Sequence, residues 1–177
     1  MSDLLKRPTP EQVKRLPKAL LHDHLDGGLR PQTIIDIANE IGYDALPTKD
    51  AAELAIWFRE SCDSGSLVRY LETFGHTIAV MQRREDIVRV ARECAIDLAR
   101  DGVVYAEVRG APELFVEKGL SLSQVIEATL EGYRLGEADA KAEGFQIRVV
   151  SLLCGMRQNK RSQEVAELVV KYRDQGV

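Results

Sequence analysis

The chain has 177 residues, 45% of them hydrophobic and 29% charged, which is enough for one globular domain with a real core. A formal net charge of −4 leaves no basic footprint for nucleic acid or an anionic membrane, and no apolar run reaches the 18 or so residues that span a bilayer. Met1 to Pro8 lacks the apolar centre of a signal peptide, and the three cysteines (Cys62, Cys94, Cys154) form no Cys-x-x-Cys pair; a reducing, cytoplasmic setting is expected.

In chain order, Thr9-Pro10-Glu11-Gln12 is a helix start with a capping box. Leu16 to Leu21 leads into a strand around Leu20 to Leu25, closed by Gly27-Gly28. Pro31 opens a helix striped by Ile34, Ile37, Ala38 and Ile41 and stopped by Gly42. Helices follow over 49–60 and 66–82, the second striped by Leu67, Tyr70, Leu71, Phe74 and Ile78. Residues 84–101 form a strongly amphipathic helix, with Ile87, Val90, Ala91, Cys94, Ala95 and Leu98 inward. Val103 to Gly110 is a second strand. Ser121 and Gln124 box the start of a long helix that runs to Gly144. Phe145 to Leu153 is a third strand, and Ser162 caps a last helix that Gly176 stops. Cys94 and Cys154 read as packing residues.

The chain has only three histidines, and two of them stand in Leu21-His22-Asp23-His24-Leu25-Asp26-Gly27-Gly28. On a strand, His22, His24 and Asp26 share one face, with the imidazoles starting about 7 Å apart. Neutral imidazole is the commonest zinc ligand, and a catalytic zinc takes about three protein ligands and keeps an open position. The alternative is a pair of solvated or hydrogen-bonded histidines. The strand's carboxyl end, opening into a loop and helix, is where α/β enzymes keep their chemistry. Asp23 faces the other side of the strand, toward the helices, where a salt bridge would suit it. His76, alone on a helix, reads as a surface or packing residue. Glu107, Arg109 and Arg157, near strand ends, read as partners in ion pairs between strands.

Near-continuous apolar strands separated by long helices indicate an α/β fold with a parallel sheet covered on both faces. Both an open doubly wound sheet and a (β/α)8 barrel suit this order. No Gly-x-Gly-x-x-Gly follows the first strand and no phosphate loop occurs, which weakens a nucleotide-cofactor site. A barrel needs at least about 200 residues, so on that architecture the chain is the front part of a longer one, with Gly176-Val177 at the threshold of a fourth strand.

Several separated blocks carry a resemblance. Leu16-Pro17-Lys18, then Leu21-His22-Asp23-His24-Leu25-Asp26-Gly27, resembles the opening of the adenosine deaminase family within the amidohydrolase superfamily. Arg30-Pro31-Gln32-Thr33-Ile34, Gly102 to Arg109, Leu152 to Arg157 and Val165 to Leu168 with Lys171-Tyr172 resemble its following elements in the same order. The resemblance implies that residues 1–177 are the N-terminal part of a single metal-dependent (β/α)8 TIM-type barrel, with about three strands and extra helices after the first. It implies one zinc held by His22 and His24, a ribose contact from Asp26 beside His24, and a pocket wall from Leu67, Tyr70, Leu71 and Phe74. For those four the alternative is a packing face. Met156 would face the purine or fill a core gap. The implied reaction is hydrolytic deamination of adenosine or 2′-deoxyadenosine to the inosine product and ammonia. The implied partner is thus a small purine nucleoside, with no protein partner evident. The family's third zinc histidine, its proton-donating glutamate and its second catalytic histidine come from blocks that do not occur before Val177, so no catalytic residue is expected in this chain. The rivals are a deaminase of adenine, adenosine monophosphate or a modified nucleoside, and a truncated non-catalytic chain. Asp23 departs from the apolar residue commoner between the two histidines.

Overall fold

A computed structural model describes residues 7–177. Helix α1 (Pro10–Arg15) carries the expected capping box, with Thr9 and Gln12 bonded reciprocally. Leu16 ends that helix, its N–H donating to Val13 O, so strand β1 (Lys18–His24) begins two residues later than the apolar run. It also stops sooner, because Leu25–Gly27 winds into a 3-10 turn. Helices α2 (Pro31–Ile41), α3 (Ala51–Cys62), α4 (Leu67–Ala79) and α5 (Arg84–Arg100) follow, with Asp50 and Ser66 capping α3 and α4. Then come β2 (Val103–Gly110), α6 (Leu122–Ala142), β3 (Arg148–Leu153) and α7 (Ser162–Tyr172).

At two further boundaries that differ from the sequence pattern the reason is visible. Strand β3 starts at Arg148 rather than Phe145, because residues 144 and 145 finish α6. Gly144 takes a left-handed φ of 89°, its N–H donates to Lys141 O, and Phe145 N–H reaches back to Ala140 O at 2.9 Å. Ser162 is the first residue of α7 and not its cap. Arg161 precedes it, its guanidinium forked onto Glu164.

The three strands are parallel in the order β1-β2-β3. Helices α5 and α6 cover one face, where Ala106, Val108 and Val149 join Ile34, Ile37, Leu54, Met81, Ile87 and Tyr133 in the main core. The opposite face is not covered: Leu21 and Val104 are 59% and 46% exposed, and Tyr105, Glu107, Arg109, Val150 and Leu152 are only half-buried. The expectation of cover on both faces therefore fails among the described residues. A sheet dressed with helices on one side suits the wall of a barrel and not an open doubly wound sheet. Beyond β3, Gly176 O accepts the Ser151 N–H at 2.8 Å, so the segment after α7 lies along the free edge of the sheet.

The α5–α6 crossing is closer than ordinary side chains permit. A β-carbon at Gly132 would lie 2.5 Å from both Ala91 Cβ and Val88 O. Alanine favours a helix over glycine by about 1 kcal/mol. Even so, Gly132→Ala is expected to destabilise the complete protein by about 1–3 kcal/mol through overpacking. Urea unfolding checks this, and a midpoint equal to or above that of the parent would refute so close a crossing.

Candidate active site

The site is built at the carboxyl ends of the three strands. Strand β1 carries an irregularity between Leu20 and Asp23: three steps there match two on β2, from Ala106 to Val108. Past it, Asp23 lies toward the helices, while His22 and His24 are exposed on the uncovered face. Their ring centroids stand 5.5 Å apart. His24 is in register with Arg109 of β2, and Arg109 with Leu152 of β3.

Asp26 does not continue the strand face, because the strand has already ended. The 3-10 turn brings its carboxylate back instead, with Oδ1 3.8 Å from His24 Nδ1. Asp26 is 5% exposed, and Oδ1 has no hydrogen-bond partner. Burial pushes this carboxyl above the ordinary range, opposed by its own backbone N–H and by His24. An unpaired buried acceptor of this kind calls for a donor from outside the chain.

A cavity of about 360 Å³ opens beside these groups. His24, Asp26, Tyr70, Leu71, Phe74 and Met156 all line it, so the structure brings together six of the seven residues singled out as substrate contacts. Leu67 is the exception. It lies one turn before Tyr70 and Leu71, 69% exposed, and lines no part of the cavity. The α4 stripe is not a core face: Leu71 is 55% exposed, and the residues of α4 that are buried are Thr73 and Thr77. Their hydroxyls donate to Tyr70 O and Phe74 O, which lets polar side chains sit inward while the apolar ones line the cavity. A second cavity of about 340 Å³ lies behind, sharing Asp26, Tyr70 and Phe74, whose rings meet edge-on at 5.3 Å.

Other residues fall elsewhere. Cys154 lines the cavity, against its expected packing role, whereas Cys94 is half-buried among core residues with its thiol pushed up by burial. His76 packs on Trp57 and bonds Tyr43 OH through Nδ1 at 2.9 Å, and burial lowers its imidazole. Among the described residues, Glu107, Arg109 and Arg157 form no ion pairs. Glu107 accepts from Tyr105 OH, and Arg109 Nε is buried without a partner. Asp23 makes no salt bridge either; its Oδ1 accepts the His24 N–H. The cavity also takes Ile78 of α4, Gly110 at the end of β2, and Ala111 and Leu114 just after it, none of which the sequence marks as a site residue; the one signal for the last three is their place at the carboxyl end of β2.

Zinc–nitrogen bonds are about 2.0–2.1 Å long, and two exposed imidazoles 5.5 Å apart between centroids fit two corners of one site. Among the described residues no group of three potential ligands assembles, so the donor set here is a partial one.

The model of the adenosine deaminase family matches residues 17–177. The chain belongs to that family. It is 60% identical over 172 residues to adenosine deaminase 1 of Streptomyces coelicolor, a match covering 97% of this chain and 43% of that protein. It is 54% identical over 170 residues to the adenosine deaminase of Mycobacterium ulcerans, covering 96% of this chain and 47% of that one. The chain thus spans about half the length of the curated relatives it matches. The crystal structure of Arabidopsis ADAL complexed with GMP superposes with a TM-score of 0.76 at 28% identity, covering 94% of this chain and 49% of that one. The three-stranded sheet is part of the barrel of these deaminases.

The buried Asp26 carboxylate yields a pH prediction. Its folded value is raised, so its contribution is fully favourable below the ordinary carboxylate range and is lost as pH rises through the folded value. In metal-free protein, Asp26→Asn is expected to remove that loss and to raise stability at neutral pH by about 1 kcal/mol. Thermal melts from acid to neutral pH check this; a variant that tracks the parent at every pH would refute it.

Proposed function

We propose that the complete protein hydrolyses adenosine and 2′-deoxyadenosine to the corresponding inosine and ammonia. The observation that carries the proposal is one cavity that joins His24 and the unpartnered Asp26 Oδ1 to an apolar wall of Tyr70, Leu71, Phe74 and Met156. A purine needs a flat apolar slot, and a ribose hydroxyl is the donor that Asp26 Oδ1 lacks. Tyr70 and Phe74 exclude water from one side of the slot. His22 and His24 would hold zinc, and Asp26 Oδ1 stands 3.8 Å from His24 Nδ1, placed to orient that ring. When bound, zinc supplies a nucleophilic water at neutral pH, as hydrolysis of a purine C–N bond requires. The proton donor and the remaining ligands come from outside residues 1–177. A cytoplasmic setting, supported by three unpaired cysteines, completes the proposal.

Relatives of the fold handle nucleotides, as the GMP bound to ADAL shows for that protein. Here a buried carboxylate at the ribose end works against a 5′-phosphate, because like charges in a low-dielectric site repel strongly.

Ammonia release from adenosine tests the proposal in the complete protein. Turnover is expected with adenosine, and AMP is expected to be poorer by about 100-fold or more in kcat/KM. His22→Ala and His24→Ala are each expected to lower zinc content and to reduce turnover by about 1,000-fold or more. Residues 1–177 alone are expected to show no turnover, since two imidazoles under-ligate zinc. Zinc-loaded complete protein with no activity on either nucleoside would refute the assignment.

A further inference from the structure

Two segments wall the cavity on the sheet side: the end of β2 and the loop after it, with Gly110, Ala111 and Leu114, and the loop after β3, with Cys154 and Met156. They are joined at two points. Cys154 N–H donates to Gly110 O at 2.9 Å. Two residues further on, Met156 N–H donates to Glu113 Oε2 at 2.5 Å. Glu113 stands in the 3-10 turn Pro112–Phe115 and is 6% exposed. Its other oxygen, Oε1, is buried with no partner, and among the described residues no cation lies within salt-bridge distance of the carboxylate.

A buried carboxylate is costly unless it is used. Arg161 lies beyond ion-pair distance, though near enough to feel the charge, and the one hydrogen bond the carboxylate makes among the described residues is to the Met156 N–H, a bond between a carboxylate and a backbone N–H, which is a strong type. That bond is also where support is most needed. Cys154, Gly155 and Met156 belong to no helix or strand, so no ladder of backbone bonds fixes the Met156 peptide. Cys154 is tied to Gly110 and Met156 O accepts the Asn159 N–H at 3.0 Å, but without the clasp the Met156 N–H, which sets where its unbranched, three-torsion side chain leaves the loop, would have no partner.

We propose that Glu113 is a positioning residue for the purine. By clasping the Met156 N–H it holds the Met156 side chain in the cavity wall. The proposal rests on the nucleoside reading of the cavity and deepens it. Glu113 touches no substrate and moves no proton; it acts through Met156. Its removal therefore loosens binding that the ground state and the transition state share, and KM responds more than kcat.

The test is a double-mutant cycle on the zinc-loaded complete protein, read by steady-state kinetics on adenosine. Glu113→Ala is expected to raise KM about 10-fold and to leave kcat within about 2-fold. Glu113→Gln keeps an acceptor for the Met156 N–H and is expected to stay within about 3-fold of the parent in both. Met156→Ala is expected to raise KM by itself, and Glu113→Ala then to add less than about 2-fold on that background. Glu113→Leu keeps the volume without an acceptor and is expected to behave as the alanine variant does, so the cycle can be completed even where alanine does not fold. If Met156→Ala leaves KM unchanged, both the cavity assignment and the clasp fall. If Met156→Ala raises KM while Glu113→Ala and Glu113→Leu leave it unchanged, or multiply it independently of Met156, the clasp alone is overturned.

Discussion

The parallel pairing of β1 with β2 is the constraint on which the rest of this structure depends. Parallel neighbours cannot be joined by a tight turn, so four helices (α2 to α5) bridge the end of one strand to the start of the next. The same pairing puts both carboxyl ends at one edge of the sheet, with His24 in register with Arg109. Because β3 is parallel too, the loops after all three strands gather there. A pair of neighbouring imidazoles, a buried acid and two wall-forming loops thus meet without any long-range fold-back of the chain.

Electrostatics at that edge are poised for something outside residues 1–177. Asp26 Oδ1, Arg109 Nε and Glu113 Oε1 are buried without a hydrogen-bond partner, as is the Tyr133 hydroxyl of the main core. Elsewhere the charged groups pair well: Arg30 grips Asp97 with two bonds of 2.7 Å, and Arg89 joins Asp36 and Glu93. Unmet polar groups are rare in native interiors, and three of these four stand at or just past the carboxyl ends of β1 and β2. The uncovered sheet face, with Leu21 and Val104 exposed, belongs to the same picture.

Much of the fold was legible because helix signals are local. The capping boxes at Thr9 and Ser121 and the stop at Gly42 involve neighbours within four residues, and the structure reproduces them. The β3 boundary is not legible in the sequence because Phe145 is apolar and looks strand-like, whereas a left-handed Gly144 commits it to closing α6. The α4 stripe shows the limit of periodicity. Leu67, Tyr70, Leu71 and Phe74 mark an apolar face, but the pattern is the same whether that face meets a core or a cavity. Only packing showed Thr73 and Thr77 turned inward and the apolar side turned to the open cavity.

From sequence alone came the His-x-His pair, its place at the end of the first strand, and the order of blocks that marks the family. These are properties of residue type and spacing along the chain. The tertiary structure alone decided that Asp26 reaches His24 through a turn rather than along the strand, that Cys154 lines the cavity, and that Glu113 clasps the loop of Met156. Glu113 and Met156 are 43 residues apart, with all of α6 and β3 between them. No local pattern encodes such a contact; it exists because two parallel strands deliver their following loops to the same place.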